Sequence, residues 1–203
     1  MKHILLFLIL FVPVWMVSAQ QDTGYKPGDT AKDFNLKNVD GKMVSLAQYK
    51  NVRGFVIIFT CNHCPFAKAY EERIIALDKK YAPLGYPVIA INPNDANAEP
   101  EDSYENMIAR AKEKNYSFPY LLDETQEVAK TYGAKRTPHI YILHKDEKGA
   151  LKVKYTGAID DNFDDAAAVK AKYAEDALQA LLSGQQLTIT TTKAIGCGIK
   201  WKK

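Results

Sequence analysis

Val52-Arg-Gly-Phe-Val-Ile-Ile-Phe59 is an almost unbroken run of β-branched and aromatic residues, and only Thr60 separates it from the string Cys61-Asn62-His63-Cys64-Pro65. A run this apolar fits a strand covered on both faces, the condition met in a parallel sheet flanked by helices. The pattern beyond it agrees. Phe66 to Tyr81 repeats apolar residues at helical spacing through Ala69, Tyr70, Ile74, Leu77 and Tyr81, and Pro83 and Gly85 close it. Pro87 to Ile91 is a second buried strand. Glu101 to Asn115 is a helix through Tyr104, Met107, Ile108 and Ala111. Phe118 to Leu122 is a short strand or extended loop, and Thr125 caps a helix that runs to Tyr132 and stops at Gly133.

Upstream, Phe34 to Leu46 alternates apolar and polar residues about Asp40-Gly41, a strong hairpin signal. Downstream, Ile140 to Leu143 and Leu151 to Tyr155 are strands joined by the polar turn Lys145 to Gly149; Asp165 to Leu182 is a last helix, stopped by Gly184. A tail rich in Thr and Gly, with no strand or helix pattern, runs to Lys203. The order predicts an α/β layer fold with a central mixed sheet, part parallel and part antiparallel, flanked by helices. No repeat or linker divides it, so residues 20–203 are expected to form one domain.

The first 19 residues stand apart. Lys2 and His3 precede about 14 almost wholly apolar residues, Ile4 to Val17, and Val17-Ser18-Ala19 is small where a signal peptidase reads. The run contains Pro13 and is shorter than the roughly 20 residues that span a bilayer. Cleavage is expected before Gln20, which makes the mature protein periplasmic or secreted and not membrane-embedded. Gln20, not a Cys, stands directly after that point, so no lipid attachment is expected there. Lys and Arg number 27 against 24 Asp and Glu, a net charge of +3, which excludes a surface built to neutralise nucleic-acid phosphates.

Outside the cytosol a Cys pair can rest as a disulfide. A strand-to-helix turn places Cys61 beside the unpaired amides that open a helix, where the positive dipole end favours a thiolate. Cys61 is the expected nucleophile and Cys64, one turn on and more covered, the thiol that resolves a mixed disulfide. His63 can add a positive charge or a hydrogen bond beside the thiolate, and Pro65 suits a helix start. No cofactor is expected. Structural zinc needs four ligands, and Cys197, His139 and His144 sit at no ligand spacing. Haem attachment needs His where Pro65 stands. A metal carrier, in which both thiolates and His63 hold copper or zinc without turnover, is the alternative from another class.

With the pair on a strand-helix turn and Thr137-Pro138 before a strand, the chain resembles the thioredoxin superfamily. Within it, Phe59-Thr-Cys-Asn-His-Cys-Pro65, Ile91-Asn-Pro-Asn-Asp95, Phe118 to Ala134, Gly157-Ala-Ile-Asp-Asp161 and Gly196-Cys-Gly-Ile-Lys-Trp201 are similar to the redoxin branch, the alkyl hydroperoxide reductase and thiol-specific antioxidant group, in its peroxiredoxin-like thioredoxin-fold subfamily. The resemblance runs from about Gly28 to Trp201. It implies a thioredoxin-like fold with an N-terminal β-hairpin and a C-terminal tail. It implies that Pro138 is a cis-proline facing the Cys pair, that the backbone of Thr137 meets a substrate strand, and that Asn62 and His63 set the redox poise. His in that second place resembles disulfide-forming and isomerising members. Thr60 stands where thioredoxins carry a substrate-docking Trp. Peroxiredoxins place the peroxidatic Cys after Pro-x-x-x-Thr-x-x, a context absent here, so thiol peroxidase activity with Cys61 peroxidatic is the second redox alternative. The partners implied are protein or small-molecule thiols and disulfides, peroxides in that alternative, and a reductant or oxidant partner protein.

Cys197 lies between two glycines in the tail. It is either a further resolving thiol or a lone thiol packed under Trp201 or paired with another subunit. Asp160-Asp-Asn-Phe-Asp-Asp165 lacks the Gly and closing Glu of a helix-loop-helix calcium site; Asp164 and Asp165 are expected to cap the next helix and the rest to be solvated. Asn92 to Pro100 is a polar loop at the carboxyl end of a parallel strand, the edge where open α/β sheets hold their sites. Lys200, Lys202 and Lys203 are read as a solvated terminus.

Overall fold

The alternation of β3, Gly54–Phe59, divides the interior in two. A computed structural model describes residues 24–203; the expected signal segment lies outside the described residues. Val56 and Ile58 point into one core with Tyr70, Ile74, Leu77, Met107, Ile140 and Leu178. Phe55, Ile57 and Phe59 point into the other with Phe34, Ile89, Leu121, Tyr132, Tyr141 and Leu143. This is the period-two consequence of a pleated strand with no solvent face.

A seven-stranded sheet builds around it in the order β2, β1, β5, β4, β3, β7, β8. These are β1 Asn35–Asn38, β2 Met43–Ser45, β4 Val88–Asn92, β5 Tyr120–Leu122, β7 His139–Lys145 and β8 Leu151–Gly157. β3, β4 and β5 run parallel, joined by α1 Pro65–Tyr81 and α2 Tyr104–Glu113, whereas β1, β7 and β8 are antiparallel to their neighbours. Two short strands outside the main sheet, β6 Arg136–Thr137 and β9 Cys197–Gly198, pair antiparallel. α3 is Glu127–Tyr132 and α4 Tyr173–Leu182. The fold is α/β and thioredoxin-like, with the mixed sheet and the N-terminal hairpin the sequence predicts.

Three expectations change and one is refined. α3 begins at Glu127, preceded by Gln126 at φ 63°, and its cap is shared: Thr125 Oγ1 accepts the Glu127 amide at 3.4 Å, and the buried Asp123 carboxylate accepts the Ala129 amide at 2.7 Å. The helix expected from Asp165 breaks in two: Asp165 caps a single turn over Ala166–Ala168, accepting the Ala167 amide at 2.8 Å, and α4 starts only at Tyr173. Asp160 is not solvated but buried, within 2.7 Å of Tyr70 Oη and Arg73 Nη1. The tail is not patternless, because it carries β9, and Lys200 is held by its backbone: its N–H donates to Asn94 Oδ1 at 2.9 Å and its carbonyl accepts from Asp95 N at 2.9 Å.

Candidate active site

Cys61 follows β3 and Cys64 is the N-cap of α1, with Pro65 in its first turn, where a missing N–H leaves no acceptor unpaired. The Thr137–Pro138 peptide bond that links β6 to β7 is cis. The Cys61 Sγ lies 3.2 Å from Thr137 Oγ1, and the Cys64 Sγ lies 3.2 Å from the Thr137 carbonyl oxygen. Cys61, Cys64, Thr137 and the bond to Pro138 are thereby brought together from sequence positions more than seventy residues apart.

Asp102 completes the arrangement, and the sequence reading did not include it. Its buried Oδ1 accepts the backbone amides of Asn62 at 2.6 Å and His63 at 3.1 Å, the two peptide groups between the cysteines. Its Oδ2 accepts from Asn94 Nδ2 at 2.7 Å and from His63 Nδ1 at 2.6 Å. Four donors on one carboxylate satisfy the charge that burial would otherwise penalise. The polar loop after β4 thus reaches the site through Asn94, Glu99 and Asp102; Glu99 Oε2 stands 3.7 Å from His63 Nε2. The one signal that could have found Asp102 is its place beyond a parallel strand's carboxyl end.

His63 Nδ1 also lies 3.6 Å from Cys61 Sγ, so the ring bridges the carboxylate and the sulfur. Asn62 faces inward: its Nδ2 donates to the Glu101 carbonyl at 2.9 Å and its Oδ1 accepts from Tyr120 Oη at 3.0 Å. Thr60 is buried too, its amide donating to the Ile91 carbonyl at 2.9 Å. His139 and His144 stand elsewhere, on Thr156 and Tyr86.

The two thiols share a hydrogen bond and titrate as a pair. Cys64 is held well below the usual thiol range, foremost by the hydrogen bond from Cys61, with Cys197 and the Ala67 amide adding to it against the opposing pull of burial. Cys61 is pushed far up, foremost by giving that bond, then by burial and by the Asp102 charge. The helix start reaches both sulfurs: the Ala67 amide lowers Cys64 and the Cys64 amide lowers Cys61, where burial and the Asp102 charge oppose it. Both sulfurs are also covered: Cys61 is 3% exposed and Cys64 0%. Cys197 packs against them rather than under Trp201, which is itself exposed.

Cys61 Sγ, His63 and Asp102 offer three ligand atoms within 4.8 Å of one another. A cation there would have to break the 2.6 Å bond between His63 Nδ1 and Asp102, so the set is better matched to a proton than to a metal.

Residues 27–156 match the AhpC/TSA family model. The chain belongs to the AhpC/TSA family. An uncharacterized conserved protein from Geobacillus kaustophilus superposes with a TM-score of 0.79 at 45% identity, covering 87% of this chain and 92% of that one. The thiol-disulfide oxidoreductase ResA of Bacillus thuringiensis is 25% identical over 127 residues, 63% of this chain and 69% of its own. A thiol:disulfide interchange protein of the thioredoxin family from Chlorobium tepidum shares the fold, with a TM-score of 0.56 at 19% identity over 78% of this chain and 98% of that one. The chain is an oxidoreductase of the thiol-redox class. Among the described residues no helix is long and apolar enough to cross a membrane.

Proposed function

We propose that the protein is an exported thiol-disulfide oxidoreductase, with residues 20–203 as its single domain after cleavage before Gln20, and that it exchanges disulfides through Cys61 and Cys64. The observation that carries this reading is the placement of both sulfurs of the β3–α1 turn on Thr137, Cys61 Sγ 3.2 Å from its hydroxyl and Cys64 Sγ 3.2 Å from its carbonyl oxygen. One proton is shared across the pair, so ionising Cys61 takes a single transfer to Cys64 and no proton need leave the site. His63, whose ring Nδ1 donates to Asp102, stands 3.6 Å from Cys61 and fixes the polar surroundings of that sulfur.

In the reducing direction the Cys61 thiolate attacks one sulfur of a substrate disulfide. A Cys61–substrate bond forms, the substrate disulfide breaks, and the departing thiolate takes a proton. Cys64, deprotonated in turn, attacks the Cys61 sulfur and the second substrate thiolate leaves. The enzyme ends oxidised and the substrate reduced by two electrons. Run backwards, the same steps place a disulfide in a dithiol substrate. The backbone of Thr137 is the proposed strand-pairing site for the substrate, and Pro138 shapes that edge. Because both sulfurs are covered, a substrate strand must first displace whatever pairs with β6.

Replacing Cys61 by Ser is expected to abolish reduction of insulin by the mature protein with a dithiol donor. Turnover unchanged in that variant would remove the assignment. Membership of the AhpC/TSA family favours a second reading, a thiol peroxidase with Cys61 peroxidatic and Cys64 resolving. Consumption of hydrogen peroxide at a rate exceeding insulin reduction under the same donor would make that the principal activity.

A further inference from the structure

The position opposite Thr137 is already filled. β9 pairs antiparallel with β6, Thr137 facing Cys197 and Arg136 facing Gly198. The approach is close enough that a Cβ on Gly196 would stand 2.2 Å from the Thr137 carbonyl oxygen, the oxygen that also lies 3.2 Å from Cys64 Sγ. The strand is pinned beyond that point. Gln126 Nε2 donates to the Lys200 carbonyl at 2.8 Å, and Lys202 N donates to Gln126 Oε1 at 2.8 Å. The tail therefore lies along the active edge as a substrate strand would, with its own cysteine at the residue facing Thr137.

Of the three cysteines, Cys61 and Cys64 are buried and Cys197 alone is part-exposed. A redox partner that must line up its own sulfur with a target sulfur meets Cys197 first. Deepening the dithiol reading above, we propose that Cys197 is the outlet of a three-sulfur relay. Its thiolate attacks Cys64 in the Cys61–Cys64 disulfide, a Cys64–Cys197 disulfide forms, and Cys61 departs as a thiolate that takes the proton Cys197 gave up. No net oxidation occurs. An external protein dithiol then attacks the Cys197 sulfur and releases Cys64, and its second thiol completes its own disulfide, so the enzyme returns to three thiols.

The resting charge pattern gates the relay. In the dithiol state the Cys197 thiol is pushed up to about 11, by burial first and then by the hydrogen bond and charge of Cys64. Once Cys64 is in a disulfide that charge is gone, and Cys197 ionises more readily at the moment it is needed.

The test is a non-reducing peptide map of the full mature chain and of its Cys61→Ser variant after mild diamide oxidation, with the rates of re-reduction of wild type and Cys197→Ser. The relay predicts a Cys64–Cys197 bridge in both maps. It also predicts that the ratio of thioredoxin-driven to dithiothreitol-driven re-reduction falls about ten-fold in Cys197→Ser. Cys197 free in both maps, or an unchanged ratio, overturns it. If Cys61→Ser still reduces insulin, the dithiol reading itself fails. If Cys61→Ser is inactive while Cys197 stays free, the relay alone fails.

Discussion

Asp102 grips His63 at two points, accepting its backbone amide on one oxygen and its ring Nδ1 on the other. The residue between the cysteines is thereby fixed both in backbone and in side chain by a loop nearly forty positions away. Replacing the carboxylate by the isosteric amide, Asp102→Asn, keeps an acceptor for the two amides but turns a donor toward Asn94 and His63. The expected cost is about 2 kcal/mol, read as a fall in Tm of roughly 5 °C. Removing the charge also lets Cys61 ionise more easily, because Asp102 is one of the causes holding its thiol up. Thiolate absorbance followed against pH is expected to show the second thiol titrating lower than in wild type; an unmoved titration would mean that the charge is screened from the sulfur.

The shared proton sets how the redox couple responds to pH. One thiol of the reduced pair is lowered and the other raised, so at neutral pH the pair is expected to hold one proton, whereas the disulfide binds none. Reduction then takes up two electrons and one proton, and the midpoint potential is expected to fall by about 30 mV per pH unit through neutrality. In acid, where the lowered thiol regains its proton, the slope steepens toward about 60 mV. A slope near the steeper value at neutral pH would show both thiols protonated.

His139, beside Pro138, links the acid sensitivity of the fold to the active edge. Burial, with the Lys135 charge adding, lowers its pKa from 6.5 to about 4. As pH falls the unfolded chain therefore binds this proton before the folded one does. Stability from the neutral ring is complete above about pH 6.5 and is lost as pH drops toward 4, by up to about 3 kcal/mol. Urea unfolding of His139→Gln across that range is expected to depend less on pH than wild type. Parallel curves would exclude His139 as the titrating group.

Gly196 leaves no room for a methyl group against Thr137. Gly196→Ala is expected to cost about 1–3 kcal/mol through overpacking, or to lift β9 from β6. In the second event alkylation of Cys197 speeds up while the main sheet keeps its hydrogen-exchange protection. Unchanged stability together with unchanged alkylation would mean that the tail is not pressed on that carbonyl.

The buried run of β3, the helical spacing of α1 and the cysteines between them lie within one stretch of chain, which is why that junction was legible in the sequence. What escaped it depends on residues meeting from far apart. Asp102 stands among Pro100, Glu101 and Ser103 like any acidic residue before a helix, and only the folded loop shows its carboxylate under the Cys pair. β9 has two residues and a glycine on either side of its cysteine, so it carries no period-two signal and exists only because β6 offers an edge. The electrostatics of the sulfurs are of the same kind: proximity to a helix start can be read locally, but the Asp102 carboxylate opposing it cannot.

The central claim is that Cys61 is the sulfur that bonds to substrate. In a Cys64→Ser, Cys197→Ser double variant neither remaining route to resolution exists, and incubation with an oxidised protein substrate is expected to accumulate a mixed disulfide. Digestion and mass spectrometry should find that disulfide on Cys61. Failure of any adduct to form on Cys61, while the Cys61→Ser variant carrying an intact Cys64 does trap substrate, would contradict the account.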